Sequence, residues 1–267
     1  MKTRLSGFPV FLPDEPQDQS ELHELFHENT KLRPGIVPES PKRPLPPPQP
    51  RSTRLRFPNA PITPLPPPEA APWREVSWMD LVSRRRTNRN FKPSSLGMES
   101  ISAMLHCAYR SITRHQPSDL SHTRPSPSAG ALYPLEVYVA INHSDTSGFG
   151  LYHYDADRHR IARLSDDLPS GILQEICLDG AALHDAALVL IVTARFGYTT
   201  SKYGDRGYRY VLLEAGHVAQ TVMLTATALG LASFPVGGFI DDRVNEWLGV
   251  DGVNEATCYM IGVGESA

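Results

Sequence analysis

Proline is spread very unevenly along this chain, with 18 of the 25 prolines between Pro9 and Pro72. A proline fixes its own φ angle, lacks a backbone N–H and pushes the residue before it toward an extended conformation. The segment from Arg33 to Trp73, which includes the run PLPPPQP, therefore cannot form a regular helix or a central strand. We expect most of the regular structure after it.

Two interpretations of the proline-rich segment are open. It can be a flexible linker or a ligand for an SH3-type domain, since PLPPPQP favours the polyproline II conformation. It can instead be an extended arm lying over a globular body, and the interspersed apolar residues favour this arm. The residues that would anchor it are Leu55, Phe57, Ile62, Leu65 and Trp73. The sequence thus predicts an arm over residues 1–75, with a short helix from Ser20, and a body over residues 76–267.

Composition and charge exclude several classes of protein. With 26 Lys and Arg against 29 Asp and Glu, the formal net charge is −3, whereas proteins that bind nucleic acid usually carry a basic excess. No stretch approaches the roughly 20 apolar residues of a membrane span, and the N-terminus shows no signal peptide. Cys107, Cys177 and Cys258 are well separated and form neither a disulfide framework nor a zinc site. We therefore expect a cytoplasmic protein without a metal.

The pattern of apolar residues predicts helices and strands from Ser77 onward. Ser77 and Asp80 form a capping box for a helix that extends to about Arg85, and a 3.6-residue apolar period predicts the longest helix at about Arg206–Leu229. Other helices are predicted around 101–108 and 241–248, and strands at 135–141, 151–154, 161–164, 188–192 and 256–263. Because these elements are mixed without regular βαβ alternation, we assign the chain to the α+β class.

Four segments carry features that composition does not explain, although the common signatures of nucleotide-binding loops, serine nucleophiles and zinc proteases are absent. The first is the basic run that contains Arg85, Arg86, Thr87 and Arg89. It is either a solvated basic surface or an anion site, because guanidinium groups bind phosphate bidentately and a hydroxyl adds a neutral donor.

The other three segments are rich in small residues or contain a Lys-Tyr pair. Pro125–Pro134 is either an ordinary loop or a backbone that a flat ligand can approach closely. Phe234–Phe239 has two adjacent glycines, which suit a tight turn or N–H groups that face a ligand ring. Thr200–Tyr208 is interpreted as a loop before the longest helix, and Lys202 and Tyr203 in it are a candidate base and electrostatic helper.

Taken together and in this order, the four segments resemble the nitroreductase superfamily, and within it the FMN-dependent azoline dehydrogenases of the SagB/ThcOx type. The resemblance covers about residues 77–264. The motifs that carry it are Arg85–Arg89, Pro127–Pro134, Gly150–Tyr154, Lys202–Gly204, Leu213–Gln220 and Pro235–Phe239. It implies a central mixed or antiparallel sheet flanked by helices, an extended proline-rich N-terminal arm and a homodimer.

The resemblance also implies FMN as the cofactor and a role for each matching residue. Those that match the motif holding the FMN phosphate, ribityl chain and pyrimidine edge are Arg85, Arg86, Thr87 and Arg89, with threonine where serine is usual. Those that match the loop reaching the flavin from the partner subunit are Pro127, Ser128 and Ala129. Those that match the segment beside the reactive ring nitrogen are Val236, Gly237 and Gly238. Many members also carry a basic residue near the C-terminus. Gly264–Ala267 has none, so phosphate binding would depend more heavily on the early arginines.

The implied reaction is the oxidation of a thiazoline or oxazoline ring to a thiazole or oxazole in a peptide natural-product pathway. One ring carbon loses a hydride to the flavin, and the other loses a proton to a base. Lys202 and Tyr203 match the catalytic pair of the azoline dehydrogenases, and either can be the base. Because adjacent side chains diverge on a helix or a strand, joint action requires an irregular backbone here, with which Gly204 agrees.

The implied substrate is a ribosomal precursor peptide or a carrier-bound nonribosomal peptide, supplied by a cyclodehydratase or a synthetase partner. Two other functions stay open. One is an NAD(P)H-dependent nitro- or quinone reductase, and the other is a non-catalytic subunit that binds a partner through the proline-rich arm. The Lys202-Tyr203 pair and the arm favour the azoline dehydrogenase.

Overall fold

The computed structural model describes residues 4–5, 8–9, 20–32, 56–68, 75–113, 122–142, 148–168, 171–178 and 180–267. The chain divides into two compact units, residues 1–42 and residues 43–267. In the first unit, the short strands β1 (Arg4–Leu5) and β2 (Phe8–Pro9) pair antiparallel, and helix α1 (Ser20–Asn29) follows them. The helix predicted from Ser20 is confirmed.

The second unit alternates irregularly between strands and helices. Its strands are β3 (Ile62–Pro64), β4 (Ile112–Thr113), β5 (His122–Thr123), β6 (Leu135–Ile141), β7 (Gly150–Asp155), β8 (Arg160–Ser165), β9 (Leu188–Arg195), β10 (Ala232–Val236) and β11 (Glu255–Gly264). Its helices are α2 (Trp78–Arg84), α3 (Met98–Tyr109), α4 (Ile172–Glu175), α5 (Gly180–Asp185), α6 (Gly197–Tyr203), α7 (Arg206–Ala228) and α8 (Asp241–Leu248). Within the described ranges, no helix has the length and apolar character that a membrane crossing requires.

The main sheet has seven strands in the order β10-β11-β9-β6-β7-β8-β3, and every neighbouring pair is antiparallel. Leu135 at the start of β6 pairs with Ala194, and Glu255 at the start of β11 pairs with Arg195. Because β10 runs antiparallel to β11, its last residue, Val236, points toward the same end of the sheet. The start of β6 and the end of β9 therefore share one end of the sheet, called below the Arg195 end, whereas β10 stops short of it with Val236 opposite Met260.

The sheet is covered on both faces because its residues alternate between two hydrophobic clusters. One cluster joins Val137 of β6 to Met104 of α3 and Val218 of α7. The other joins the neighbouring Tyr138 to Leu183 of α5. Full burial of a large aliphatic side chain contributes about 1.5–3 kcal/mol, so these two clusters hold the sheet between its helices and keep the Arg195 end in place.

Local sequence explains several helix boundaries. The Ser77 hydroxyl accepts the N–H of Asp80 at 3.2 Å, so α2 begins at Trp78 as the capping box predicts. Gly230 has a φ of 75° after α7, and Gly249 has a φ of 69° after α8. A left-handed residue after a helix is most easily supplied by glycine, which is why both helices end where the sequence analysis placed their ends.

The described part of the proline-rich segment, residues 56–68, lies along the body. Ile62 of β3 pairs with Ala162 of β8, which makes β3 an edge strand of the sheet. An edge is the sheet position that tolerates a proline such as Pro64. Arg56 binds the body separately, because its Nη2 donates to Glu255 Oε2 at 2.6 Å.

The predicted anchors of the arm can be compared with this segment. Leu65 is 6% exposed, and Phe57 and Ile62 are half-buried. For residues 56–68, the extended arm therefore describes the segment better than a flexible linker. The other two anchors, Leu55 and Trp73, and the PLPPPQP run lie outside the described residues. The domain boundary at residue 75 stays a prediction, while the second compact unit begins at residue 43.

The α+β class and the sheet flanked by helices are confirmed, and the sheet proves to be antiparallel throughout its seven strands. Two segments correct the sequence analysis. Part of the loop expected at Thr200–Tyr208 is helical, because α6 extends to Tyr203 and α7 begins at Arg206. The segment Phe234–Phe239 is not only a turn, because β10 extends to Val236. The proline in β10 is tolerated because β10 is the other edge strand of the sheet.

Candidate active site

The basic segment after α2 passes beside the edge strand β10. Thr87 pairs with Ser233 of β10 in a parallel bridge. Arg85 is half-buried, whereas Arg86, Thr87 and Arg89 are exposed. The segment is therefore fixed to the sheet through its backbone, while its side chains stay accessible to a ligand.

The guanidinium groups of this segment carry charge that an anion can use. Arg86 Nη1 donates to the carbonyl oxygens of Ser83 at 2.7 Å and Arg85 at 2.8 Å. The Arg89 guanidinium lies 5.5 Å from the centre of the Phe234 ring. None of the acids that the structure describes forms an ion pair with Arg85 or Arg86. Two neighbouring arginines without competing carboxylates suit a phosphate.

The glycine pair follows the last residue of β10, on the side that leads toward the Arg195 end of the sheet. Val236 before it is buried, and Gly237 and Gly238 are exposed. Their two N–H groups donate to no acceptor within the described part of the chain. The Gly238 carbonyl is fixed by two hydrogen bonds, because it accepts the N–H of Leu178 at 3.1 Å and the thiol of Cys177 at 3.4 Å. The pair thus presents two adjacent donors on an anchored backbone, which suits a ring that has acceptor atoms.

Pro127–Pro134 is a strained loop that leads into β6. It contains a short 3-10 helix, and Gly130, Ala131 and Tyr133 have positive φ values of 62°, 54° and 47°. Ser128 Oγ accepts the N–H of Tyr133 at 2.9 Å. A residue other than glycine costs about 1 kcal/mol or more in this backbone region. The loop therefore keeps this shape only because its surroundings hold it.

Residues that the sequence analysis missed hold this loop. Tyr109 Oη donates to Glu214 Oε1 at 3.0 Å and accepts the N–H of Leu135 at 3.1 Å. The Arg124 guanidinium lies 4.0 Å from the centre of the Tyr109 ring, and the Arg124 N–H donates to Tyr133 Oη at 3.1 Å. Glu214 could have indicated this support from the sequence, because it is an acid inside the apolar stripe of the longest helix. The Glu214 residue is only 2% exposed.

Lys202 and Tyr203 are the last two residues of α6, and Gly204 ends the helix with a φ of 57°. The expectation of an irregular backbone is therefore wrong at these two residues, since the break comes one residue later. Their long side chains nevertheless converge. A Cβ on Gly130 would stand 2.6 Å from Tyr203 Oη and 2.8 Å from Lys202 Nζ. The amine and the hydroxyl thus share one position beside the strained loop, where both can reach one ligand atom.

The predicted site residues lie in two groups, one beside strand β10 and one beside the start of β6. The β10 group consists of the arginine segment 85–89 and the glycine pair 237–238. The β6 group consists of the loop 127–134 with Lys202 and Tyr203. Because β11 and β9 separate β10 from β6, the two strands are three spacings, or about 14 Å, apart. The structure therefore does not bring all the predicted residues to one point within a single chain.

The donor set of these groups fits FMN. Arg85 and Arg86 are cations without an acid partner among the described residues, which would suit its phosphate, and the N–H groups of Gly237 and Gly238 would suit acceptor atoms of its ring. Within the described residues, no group of three or more His, Cys, Asp or Glu side chains could hold a metal ion. The arginines and backbone donors of the β10 group suit an organic anion.

Comparison of sequences links the chain to known proteins. A profile described as the Nitroreductase family matches residues 82–265. The chain is 39% identical over 174 residues to MJ1384 of Methanocaldococcus jannaschii, covering 65% of this chain and 85% of that protein. It is 28% identical over 163 residues to the microcin B17-processing protein McbC of Escherichia coli, covering 59% of this chain and 58% of McbC. It is 29% identical over 156 residues to the trifolitoxin-processing protein TfxB of Rhizobium leguminosarum bv. trifolii, covering 52% of this chain and 39% of TfxB. The match therefore leaves a large part of McbC and TfxB uncovered.

Comparison of structures finds the same fold. A protein from Anabaena variabilis that is named as a nitroreductase matches with a TM-score of 0.72 and 26% identity, over 96% of this chain and 49% of that one. A chain of the E. coli microcin synthetase McbBCD complex with truncated pro-MccB17 bound matches with a TM-score of 0.57 and 22% identity, over 97% of this chain and 85% of that one. A Desulfovibrio desulfuricans nitroreductase in complex with FMN matches with a TM-score of 0.51 and 17% identity, over 72% of this chain and 88% of that one. The last two likenesses show the fold alone.

Proposed function

The chain belongs to the nitroreductase family, and on this premise we propose that it is an FMN-dependent dehydrogenase that oxidises thiazoline or oxazoline rings in a peptide. The relatives McbC and TfxB are named for the processing of microcin B17 and trifolitoxin, which supports a peptide substrate. The observation that carries the proposal is the convergence of Lys202 Nζ and Tyr203 Oη on Gly130. An enzyme that only reduces nitro groups has no evident need for such a pair.

The reaction converts an azoline ring into the aromatic azole by removing a proton from one ring carbon and a hydride from the other. When bound, FMN supplies the two-electron acceptor for the hydride. The chain itself supplies the proton acceptor, which is Lys202 Nζ or Tyr203 Oη, and the other member of the pair orients the ring or stabilises the charge that develops on it. Both atoms lie beside Gly130 of the strained loop.

The β10 group would hold the cofactor. Arg85 and Arg86 bind the phosphate through charge-assisted hydrogen bonds, and Thr87 and Arg89 extend this contact along the cofactor. The N–H groups of Gly237 and Gly238 donate to acceptor atoms of the ring. This assignment rests on the accessible side chains and the free donors described above.

The complete site is proposed to lie between two copies of the chain. Strands β10 and β6 are about 14 Å apart in one chain, and the arginine segment lies on the outer side of β10. This separation supports an arrangement in which each FMN contacts the β10 group of one copy and the β6 group of the other. Helices α2 and α7, which contact each other, carry exposed apolar side chains of the kind found in protein–protein interfaces. The exposed residues there are Trp78, Met79, Val82, Leu212 and Leu213.

The peptide must already contain an azoline ring when it reaches this enzyme. Such rings are made by cyclodehydration of a cysteine, serine or threonine onto the preceding carbonyl, so we expect a cyclodehydratase or a synthetase to act before this chain. The names of McbC and TfxB favour a ribosomal precursor peptide over a carrier-bound one. Neighbouring genes test this point, because a cyclodehydratase gene indicates a ribosomal peptide and a peptide synthetase gene indicates a carrier-bound one.

The catalytic assignment is tested with the purified full-length chain, loaded with FMN, and a synthetic peptide that contains one thiazoline. We expect Lys202→Ala and Tyr203→Phe each to slow formation of the thiazole about 100-fold, the usual contribution of a positioned acid or base. Both variants should retain FMN in the same ratio to protein. The matched control is Lys31→Ala, which removes an exposed lysine of the first unit and should leave the rate unchanged.

Three other results would contradict the proposal. Unchanged thiazole formation in both variants, with FMN bound, would exclude the pair as the proton acceptor. Rapid oxidation of NAD(P)H with a nitroaromatic compound, without thiazole formation, would instead identify a nitro- or quinone reductase. A protein that neither retains nor rebinds FMN would support a non-catalytic subunit.

A further inference from the structure

A cavity of about 170 Å³ lies between the proline-rich segment and the sheet, apart from the arginine segment and the glycine pair. We call it the arm pocket. One wall is formed by Arg56, Phe57 and Ile62 of the proline-rich segment, and the pocket extends to Arg195 and Tyr198 at the Arg195 end of the sheet. The proposed function does not use this pocket.

The acids of the arm pocket all have arginine partners. These pairs are Arg56–Glu136 at 3.6 Å, Arg158–Asp155 at 3.3 Å and Arg124–Asp157 at 3.6 Å. Two of these acids share their arginines or have a second one, because Arg56 also contacts Glu255 at 2.6 Å and Asp155 also contacts Arg160 at 2.9 Å. Each acid of the pocket therefore has an arginine within 4 Å. One arginine of the pocket lining is left without an acid partner among the described residues.

That arginine is Arg195, which pairs with none of the acids that the structure describes. Its guanidinium lies 4.5 Å from the centre of the Tyr198 ring, and the residue is half-buried. Its backbone is held as well, because the Arg195 N–H donates to the Pro134 carbonyl at 2.9 Å. A positioned, half-buried guanidinium without a carboxylate is suited to receive one in a bidentate arrangement.

The arm pocket lies close to the Lys-Tyr pair along α6. Tyr198 and Lys202 are four residues apart on this helix, so they lie on the same face and about 6 Å apart along its axis. An extended peptide advances about 3.3 Å per residue. A peptide whose azoline lies beside Lys202 and Tyr203 would therefore bring a group two or three residues away to Arg195.

We propose that the arm pocket binds a carboxylate of the peptide substrate through Arg195. The carboxylate belongs to an acidic side chain or to the C-terminus of the peptide. Phe57 and Tyr198 also line the pocket and add aromatic surface to it. The identification of this peptide as the substrate rests on the proposed function, whereas carboxylate binding itself requires neither FMN nor turnover.

The test measures peptide binding by isothermal titration calorimetry with the full-length, FMN-loaded protein. The three peptides are acetyl-Gly-Gly-Glu-Gly-amide, acetyl-Gly-Gly-Gln-Gly-amide, and acetyl-Gly-Gly-Gln-Gly with a free C-terminal carboxylate. At least one peptide with a carboxylate should bind about tenfold tighter than the neutral peptide, as expected for a charge-assisted hydrogen bond. The peptide that shows this preference identifies the source of the carboxylate.

Variants at Arg195 decide whether this residue is responsible. Arg195→Gln should abolish the preference, and Arg195→Lys should keep part of it, because lysine retains the charge without the planar fork. The matched control is Arg243→Gln, which removes an exposed arginine of α8 outside the arm pocket and should keep the full preference. Thermal unfolding of each variant checks that the fold is intact.

Equal binding of the three peptides, or a preference that survives in Arg195→Gln, would overturn the arm-pocket proposal. Its failure can be distinguished from failure of the proposed function. A preference for carboxylates without any azoline oxidation would refute the azoline dehydrogenase and leave the binding site standing. Azoline oxidation without the preference would refute the binding site alone.

Discussion

Gly130 connects the strained loop to the Lys-Tyr pair. Its φ of 62° is a conformation that alanine adopts at a cost of about 1 kcal/mol, and an added Cβ would stand 2.6 Å from Tyr203 Oη and 2.8 Å from Lys202 Nζ. We expect Gly130→Ala to push both side-chain ends away and to lower azoline oxidation about tenfold or more, since small displacements of reacting groups are costly. Steady-state kinetics with FMN-loaded protein measures this loss.

The control for this prediction lies at the other end of α6. A Cβ on Gly197 meets no atom within 4 Å, so Gly197→Ala should leave the rate within about twofold and should not lower stability, because alanine favours helix more than glycine does. If Gly130→Ala is as active as Gly197→Ala, the geometry around Gly130 does not matter for catalysis.

His159 is a buried histidine that does not titrate in its usual range. Burial, followed by the nearby Arg110 and His106, lowers its pKa to about 4. Tyr154 Oη and Ser102 Oγ each lie 2.8 Å from one of its ring nitrogens. The ordinary histidine pKa is about 6.5. Between these values the unfolded chain binds a proton here that the folded chain does not, so stability from this residue is complete above pH 6.5 and is lost as the pH falls toward 4.

Lowering the pH from 7 to 5 should therefore reduce the free energy of unfolding by about 2 kcal/mol through His159. Urea unfolding of the wild type and of His159→Gln at both pH values measures this contribution, because the variant lacks the proton-binding group. The wild type should lose more stability than the variant over this interval. An equal loss in both proteins would mean that His159 does not carry the pH dependence.

At the scale of elements, α7 has two different faces. The buried face contains Val211, Ala215 and Val218 in the core, while Leu212 and Leu213 are 42% and 60% exposed. If this exposed face joins two copies, Leu213→Glu places a charge in the interface and should convert the dimer to a monomer. Because the proposed FMN site needs both copies, the variant should also lose FMN. Analytical ultracentrifugation with detection of flavin absorbance measures both effects.

Val253→Glu is the matched control for the α7 variant. Val253 is 69% exposed and lies in the turn before β11, outside α2 and α7. This variant should sediment as the wild type does and should keep its FMN. A Leu213→Glu protein that remains dimeric with bound FMN would place the interface elsewhere or show that it tolerates this charge.

At the scale of the whole molecule, the proline-rich segment belongs to the fold of the second unit over residues 56–68. Removing residues 1–42 takes away only the first compact unit, and the remaining chain should keep its melting temperature within a few degrees and retain FMN. Removing residues 1–68 also takes away β3, the buried Leu65 and the Arg56 partner of Glu255. This deletion should lower the melting temperature by about 10 °C, from lost apolar burial and an unpaired carboxylate.

Differential scanning fluorimetry of the two truncated proteins and the full chain gives this comparison. Arg56→Gln in the full chain separates the ion pair from the strand, because it leaves β3 in place and should produce a smaller decrease than the longer deletion. Equal melting temperatures for all the proteins would show that residues 56–68 contribute nothing to the stability of the body.

Patterns within a few residues determined much of the secondary structure. Ser77 and Asp80 predicted the start of α2, and the 3.6-residue period predicted Arg206–Leu229 where the helix is Arg206–Ala228. These predictions succeed because capping and amphipathic periodicity depend on residues one or two turns apart. The same local reasoning missed α6, since Thr200–Tyr208 contains glycines and no apolar period. It missed β10 because Pro235 argues against a strand unless the strand is known to be at an edge.

Residue types and their spacing along the chain suffice to predict the class of fold, the α7 stripe and the kinds of residue from which a flavin site can be built. Which of these residues meet depends on the tertiary structure. It brings Lys202 and Tyr203 to Gly130, joins Arg56 to Glu255 across 199 residues of chain, and leaves Arg195 beside the arm pocket without an acid partner among the described residues. Each of these contacts depends on the order and register of the strands. The order of strands follows from how the whole sheet packs between its helices, and no pattern of neighbouring residues encodes it.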